Sequence, residues 1–314
     1  IVLQREQSGP YKSFQDLCNR VNLRKCNKRT LVALINGGAF DHLHKNRNQL
    51  LEGMPQVVKA ADQQSKDKEA GQFDLFGGMA DNTYQSIPLP EVEESPLLEK
   101  LLAEKTVLGS FMSDHPIRPA RAYLKHQCSY VINRMVEMNK HMEAGGDFRL
   151  LGMITGVRLG FNDKMKVALS DASGTYEFTL TAKQFEEYQE LLVTYDIVMI
   201  EGAAGRRTFK GKDGEEDKEY FACNISSMID LNSAVALYCD RLCFVSKKYS
   251  DQLVQDIADL LHEFGKGKAQ LYVHYKNKKQ KINLQLSEEH RIRPSFQLIE
   301  AALRKPSIQE VLTH

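Results

Sequence analysis

The chain has 314 residues, of which 42% are hydrophobic and 26% charged, and its formal net charge is +1 at pH 7. A chain of this length usually divides into two or three domains, and it contains no apolar run near the ~20 residues that cross a bilayer, which excludes a membrane-spanning protein. The six cysteines include no C-x-x-C pair, which argues against a zinc site and a disulfide framework. Free thiols predict a reducing cytoplasm, although small buried side chains explain them equally well.

The first fifth of the chain is predicted to form helices and to carry an excess of basic residues. Residues 1–6 have the pattern of a helix interior without an N-cap, and we expect the chain to be cut from a larger protein. Apolar spacing then predicts two short helices within residues 13–36, the second capped by Asn27. Gly37 and Gly38 interrupt the pattern before a helix over residues 46–61. Residues 1–50 carry nine Lys or Arg and three Asp or Glu, which is typical of a surface that contacts a polyanion.

Residues 61–95 lose apolar periodicity and predict a flexible linker. The linker contains one compact motif, Gln72 followed by Phe73, Asp74, Leu75 and Phe76. Two large apolar side chains beside a glutamine form a typical anchor peptide, in which the apolar groups fill a pocket and the amide fixes the register. The alternative is a hydrophobic cluster that packs on its own domain.

A helical connector is predicted for residues 96–145, with Ser95 as the N-cap of its first helix. Beyond the paired glycines at 145–146 the pattern changes to short strands, with a turn at residues 171–174 and one helix over residues 182–192. Five strands with a helix between the third and fourth predict an OB-fold over residues 146–230. Residues 231–314 alternate strands and helices, beginning with a strand over residues 237–245, and predict a separate small α+β domain. The fold class is therefore multi-domain α+β: a helical region over residues 1–60, an OB-fold barrel and a small α+β C-terminal domain.

Two stretches carry a family resemblance. Residues 12–18, 23–29 and 34–41 together resemble the helix-hairpin-helix region of the alpha subunit of bacterial DNA polymerase III, a replicative C-family polymerase. Residues 108–116 resemble the Leu-Gly-x-x-x-Ser-x-His-Pro signature that precedes the OB-fold of that family. The order of the segments also agrees, so the chain resembles the C-terminal region of this subunit.

The resemblance implies four binding functions: duplex DNA at the hairpin, the beta sliding clamp at residues 72–76, single-stranded template at the barrel, and the tau subunit of the clamp loader at the last domain. Charge and backbone access indicate the duplex site residues Lys25, Lys28, Arg29, Gly37 and Gly38. A basic surface with stacking aromatics indicates the single-strand site residues Arg158, Phe161, Lys164, Lys166, Arg206, Arg207, Phe209 and Lys210. The alternatives are that Gly37 is only a helix C-cap, that the lysines form a solvated face, and that aromatics such as Phe178 belong to the barrel core.

No catalytic residue is predicted in this chain. The resemblance implies that the aspartates that hold Mg²⁺ lie upstream, so we expect this part of a nucleotidyltransferase to need no cofactor and to be inactive alone. His115 has no nucleophile or metal-ligand cluster near it in the sequence, which favours a structural role. The rival hypothesis is a stand-alone nuclease or ligase-like enzyme with hairpin and barrel accessories, and a further possibility is a related lesion-bypass polymerase. Residues 309–314 begin with Gln but lack a terminal Phe, so a second clamp contact is not expected there.

Overall fold

The computed structural model describes residues 1–69, 87–160, 164–209, 218–247, 249–276 and 281–313. The chain forms two compact units, residues 1–116 and residues 117–314. None of the helices within those ranges is long and apolar enough to cross a membrane.

The first unit, called here the hairpin unit, is helical. Its helices are α1 (Val2–Ser8), α2 (Phe14–Arg20), α3 (Lys28–Asn36), α4 (Arg47–Glu69) and α5 (Leu97–Leu108). The predicted cap of α3 is confirmed, because the side chain of Asn27 accepts a hydrogen bond from the backbone N–H of Thr30. The core lies between α2, α3 and α4, where Leu31, Ile35 and Leu50 are almost completely buried.

The prediction of a flexible linker over residues 61–95 is wrong at both ends of that range. Helix α4 continues to Glu69, and residues 87–96, called here the strap, lie against the hairpin core. Asn46 donates a hydrogen bond to the carbonyl of Val92 (2.7 Å), and Asn48 donates one to the carbonyl of Glu93 (2.9 Å). The predicted N-cap role of Ser95 is also wrong, because its hydroxyl bonds Asn48 and α5 begins after Pro96 without a side-chain cap.

The second unit begins with α6 (Ile117–Leu124) and α7 (Ile132–Lys140) and continues into a five-stranded antiparallel sheet. The strands are β1 (Gly146–Leu159), β2 (Met165–Asp171), β3 (Gly174–Leu180), β4 (Ile197–Phe209) and β5 (Lys218–Asp230). Helix α8 (Ala182–Tyr188), followed by a 3₁₀ turn over Gln189–Leu191, lies between β3 and β4, and the strand order is β3-β2-β1-β4-β5. This order and this helix position confirm the OB-fold.

Asp171 explains why the predicted turn at residues 171–174 forms. One carboxylate oxygen accepts hydrogen bonds from the N–H groups of Ser173 (2.7 Å) and Gly174 (3.2 Å). The other accepts from the N–H of Ile132 (3.1 Å) and from Arg121 (2.9 Å). A single buried carboxylate thus joins the β2–β3 turn to α6 and to the first residue of α7.

The chain ends in a second, four-stranded sheet of order β8-β7-β6-β9. Its elements are α9 (Leu231–Tyr238), β6 (Arg241–Ser246), α10 (Asp251–Phe264), β7 (Lys266–Lys276), β8 (Lys281–Gln285), a 3₁₀ turn over Glu288–His290, α11 (Phe296–Arg304) and β9 (Glu310–Thr313). Strands β6 and β7 are parallel, and the other two pairs are antiparallel. The strand predicted from residue 237 starts only at Arg241, because Asp230 caps α9 and that helix continues to Tyr238.

The predicted boundary at residue 230 does not separate two independent cores. Leu151 and Met199 of the barrel are buried in the same cluster as Val235 and Phe244. Residues 310–313 form the edge strand β9, in which Val311 is buried opposite Phe244. The α+β C-terminal part therefore packs directly onto the barrel.

Candidate nucleic-acid interface

The predicted cations of the hairpin unit lie around the start of α3. Lys25 lies in the turn before the helix, where its N–H bonds the carbonyl of Asn22 (3.1 Å), and Lys28 and Arg29 belong to the first helical turn. All three side chains, called here the hairpin cations, are exposed and make no ion pair with any residue in the described ranges. The partial positive charge of the helix N-terminus adds to theirs, so this surface favours an anion.

Gly37 and Gly38 lie at the other end of α3, about 13 Å along its axis from Lys28. Their N–H groups donate to the carbonyls of Ala33 (2.8 Å) and Ile35 (3.0 Å) and thereby end the helix. Both amides are therefore already bonded within the hairpin unit, and Gly37 is the C-cap of α3. A contact of Gly37 and Gly38 with phosphate stays a prediction. Gly38 has a φ of +76°, and a Cβ there would lie 2.5 Å from a guanidinium nitrogen of Arg47.

Arg47 is a buried cation that the sequence reasoning did not identify. Its guanidinium donates to both carboxylate oxygens of Asp41 (2.9 and 2.6 Å) and to the carbonyl of Asn36 (2.8 Å). The hydrogen bond with Asp41 raises the pKa of Arg47 above its ordinary value. The charge of Arg47 is thus used to hold the turn after α3, and it is not presented to a ligand.

Two of the three predicted barrel cations near the end of β1 are already paired. Arg158 donates two hydrogen bonds to Glu177 of β3 (2.9 and 2.8 Å), and Lys166 of β2 lies 3.5 Å from the same carboxylate. The hydrogen bond from Arg158 lowers the pKa of Glu177 below its ordinary value. Lys164 is exposed and makes no ion pair with the described part of the chain.

Arg206 and Arg207 form a second group, since their part of β4 lies beyond Ala204, which pairs with the first residue of β1. The predicted single-strand residues are therefore divided between the two ends of β1. Arg206 lies 3.5 Å from Glu219, whereas Arg207 has no ion pair among the described residues. Successive residues of a strand point to opposite faces, so the two arginines do not share a face.

The aromatic part of the predicted site is only partly described. Phe161 and Lys210 lie outside the described residues, as does the side chain of Phe209. Phe178 is completely buried, which confirms that it belongs to the barrel core. Tyr220 was not identified from the sequence: it is 50% exposed and pairs with Arg207 across β4 and β5. An exposed ring beside an unpaired guanidinium is the arrangement that stacks and neutralises a single strand.

The predicted clamp peptide, residues 72–76, lies outside the described residues. The structure describes the chain on both sides of it, at Glu69 and at Ile87. The N–H of Ile87 donates to the side chain of Gln15 of α2 (3.0 Å), and α4 belongs to the same unit. The two ends of this segment are therefore both attached to the hairpin unit.

The signature-like run at residues 108–116 has structural roles. Gly109 ends α5 in a left-handed conformation with a φ of +80°. Glu104, which is buried, accepts hydrogen bonds from the N–H of Ser113 (2.9 Å) and from its hydroxyl. The His115 ring is buried and packs edge-on against Phe111 at 5.2 Å, in agreement with a structural histidine. Among the described residues, no three His, Cys, Asp or Glu side chains are grouped to hold a metal.

Several known proteins to which this chain is similar share one name. Residues 1–50 match the family described as helix-hairpin-helix motif. A protein from Xylella fastidiosa named DNA polymerase III subunit alpha is 33% identical over 224 residues, which are 67% of this chain and 19% of that protein. Proteins of the same name from Pasteurella multocida and Pseudomonas fluorescens are 26% and 30% identical over 97% and 96% of this chain, and each alignment covers 26% of the relative. These similarities confirm the resemblance predicted from the sequence, and the chain spans about a quarter of the length of such relatives.

Solved structures of two single-stranded DNA-binding proteins also align with part of this chain. They come from S. cerevisiae mitochondria and Streptomyces coelicolor, and each alignment covers 27% of this chain and 92% of the other. Their TM-scores are 0.21 and 0.17, and their sequence identities are 16% and 14%.

Proposed function

We propose that this chain, which belongs to the family of bacterial DNA polymerase III alpha subunits, holds DNA and replication partners for its polymerase and contributes no catalytic residue. The proposal rests on similarity that extends along almost the whole chain. Its parts are duplex binding by the hairpin unit, a clamp tether at residues 72–76, single-strand binding by the barrel, and docking of the clamp-loader tau subunit by the C-terminal part. A cytoplasmic location goes with this proposal.

Duplex binding depends on the hairpin cations, Lys25, Lys28 and Arg29. Each is free to approach a phosphate, and none has to give up a carboxylate in the described part of the chain. Contacts of this kind position a protein on the duplex without reading its sequence. Gly37 and Gly38 support the site indirectly, because they end α3 and accommodate Arg47.

Single-strand binding by the barrel uses Arg207 with Tyr220, and Lys164, which directly precedes β2. Arg158, Lys166 and Arg206 contribute only after Glu177 and Glu219 release them. Exposed pairs of this kind contribute little to stability, so a phosphate can replace the carboxylate. We therefore expect weak binding of single strands that strengthens at low salt.

The clamp tether works by effective concentration. A peptide of modest affinity keeps the polymerase beside a clamp that already encircles DNA. Ordering a peptide on binding costs about 2 to 5 kcal/mol, which favours a short motif with few anchors, here Leu75 and Phe76. Because Glu69 and Ile87 are both attached to the hairpin unit, a clamp bound between them would lie close to the duplex-binding helices.

The experiment that tests the tether is a titration of the full chain against purified clamp. The variant Gln72→Ala, Leu75→Ala, Phe76→Ala removes the amide and both anchors, and we expect its affinity to fall at least about a hundredfold. A matched variant, Met79→Ala, Tyr84→Ala, Gln85→Ala, changes three side chains of the same segment and should bind like the parent chain. Equal affinity of the two variants would contradict the proposed tether.

A further inference from the structure

The helices α10 and α11 pack on one face of the C-terminal sheet. Four buried residues of the two inner strands share one core with these helices: Leu242, Phe244, Leu271 and Val273. Successive residues of a strand point to opposite faces, so the residues that alternate with these lie on the second face. That face, called here the open face, consists of Arg241, Cys243, Val245, Gln270, Tyr272, His274, Asn283, Gln285, Glu310 and Leu312. None of them belongs to a hydrophobic cluster of the described part of the chain.

The open face presents two rings, Tyr272 and His274, on the inner strand β7. They are two residues apart, which is about 6.6 Å along the strand. Both side chains are half-buried, and neither ring makes a hydrogen bond or a ring contact with any described residue. Gln285 of β8 lies opposite the tyrosine and Asn283 lies opposite the histidine, and both amides are exposed. Each ring therefore has a free amide beside it, which is an arrangement that can stack a base and hydrogen-bond its edge.

The sheet is basic, whereas α10 on its other face is acidic. The four strands and the four residues that join β7 to β8 contain seven Lys or Arg and one Asp or Glu. The cations are Arg241, Lys266, Lys268, Lys276, Lys278, Lys279 and Lys281, and the carboxylate is Glu310. Helix α10 instead contains four Asp or Glu and no Lys or Arg. The excess of positive charge thus belongs to the strands that carry the rings.

Two of these cations are available to a ligand. Arg241 and Lys266 are exposed and make no ion pair with any residue in the described ranges. Lys268 is paired with Asp240, which directly precedes β6, at 2.9 Å. Glu310 lies on the edge strand β9, which is separated from β7 by β6. A phosphate beside the rings therefore meets more cations than carboxylates.

We propose that the open face binds a single strand of nucleic acid. Two successive bases would stack on Tyr272 and His274, the amides of β8 would meet the base edges, and the phosphates would meet the lysines. Four-stranded sheets of other proteins bind single strands by stacking two or three bases on their rings. A duplex or an acidic peptide would use the cations alone, so the two free rings favour a single strand. The inference does not rest on the roles proposed for the hairpin unit and the barrel.

The first experiment locates the strand on the parent chain. A single-stranded oligonucleotide of about 12 residues that contains 5-iodouracil is irradiated with the full chain, which crosslinks stacked bases to aromatic side chains. Trypsin releases both rings in one peptide, residues 269–276. We expect fragmentation of this peptide to place the crosslink on Tyr272 or His274. A peptide without a crosslink, or with one only on Tyr275 of the opposite face, would overturn the inference.

The second experiment measures the contribution of the rings to affinity. The variant Tyr272→Ala, His274→Ala loses both stacking partners and should bind the same oligonucleotide at least about tenfold more weakly. Fluorescence anisotropy measures this loss in full chains that also carry Arg207→Ala and Tyr220→Ala, so that the barrel does not mask it. Tyr272→Phe keeps the ring and should keep the affinity.

The matched control is Tyr249→Ala, His262→Ala in the same background. It removes one exposed Tyr and one exposed His from the residues just before and within α10, and it should bind like its parent. Equal affinity of the two double variants would overturn the inference. So would tighter binding of a duplex that is insensitive to removal of the rings, because the face would then contact phosphates only. Circular dichroism of the variants verifies their folding, and the crosslink on the parent chain is independent of it.

Discussion

The hairpin unit and the barrel use their cations differently. In the hairpin unit, Arg47 is buried against Asp41, whereas the hairpin cations are exposed and unpaired within the described ranges. In the barrel, Arg158 is exposed and Lys166 is half-buried, and both contact Glu177. A phosphate must compete with that carboxylate in the barrel, but it meets no such competitor at the start of α3. An exposed Lys or Arg therefore contributes fully to phosphate binding only where no carboxylate of the same chain pairs with it.

The strongest test of this comparison removes three cations from each unit. The variant Lys25→Ala, Lys28→Ala, Arg29→Ala should lose about three units of the slope of log K against log salt for duplex DNA, because each phosphate contact contributes about one. Arg158→Ala, Lys166→Ala, Arg206→Ala should change the slope by less than half as much. The double variant Lys59→Ala, Lys66→Ala removes exposed charge from α4 and serves as the control. Fluorescence anisotropy over a salt series measures all four proteins, and equal losses from both triple variants would abolish the distinction.

A second test concerns Arg47, the buried cation of the hairpin unit. Gly38→Ala should destabilise the hairpin unit by about 3 kcal/mol, since a left-handed Ala costs about 1 to 2 kcal/mol and its Cβ must displace Arg47 from Asp41. Gly109→Ala has nearly the same φ but meets nothing within 4 Å, so it should lose only about 1 kcal/mol. Hydrogen exchange of the α3 amides measures the difference. If the two losses were equal, the Arg47 contact would have no energetic role.

The smallest expected effect is a gain of binding in the barrel. Glu177→Gln removes the shared carboxylate and should raise affinity for single-stranded DNA several-fold at low salt, with a slope steeper by about 0.7 for each released cation. Stability should hardly change, because the pairs are exposed. Glu186→Gln removes the same charge from an exposed site on α8 without an ion pair among the described residues. A gain equal to that of Glu177→Gln would show that net charge, and not release of Arg158, is responsible.

Local signals in the sequence predicted much of the fold. Asn27 caps α3, as predicted, because its side chain accepts from the N–H group three residues ahead. Such bonds are local, so spacing reveals them. Ser95 has the same spacing signal, yet its hydroxyl bonds Asn48, which is distant in sequence. A cap position can therefore be predicted only where no distant side chain competes for it.

The candidate interface was harder to predict, because its chemistry depends on non-local pairs. The basic residues were evident, but the contacts of Glu177 with Arg158 and Lys166 require three strands in register. The pairing of Arg207 with Tyr220 likewise depends on the register of β4 and β5.

The strand predicted at residues 237–245 was misplaced because a short apolar run is compatible with either a helix such as α9 or a strand such as β6.

The strap would keep the two pieces of a cut chain together. A single proteolytic cut between Glu69 and Ile87 would break the polypeptide but would not free either piece. Asn46 and Asn48 would still hold the carbonyls of Val92 and Glu93, and Leu89 would still pack in the hairpin core. The nicked protein would migrate as one particle in a native gel and as two fragments after denaturation, so a chain cut in this segment would still retain its barrel.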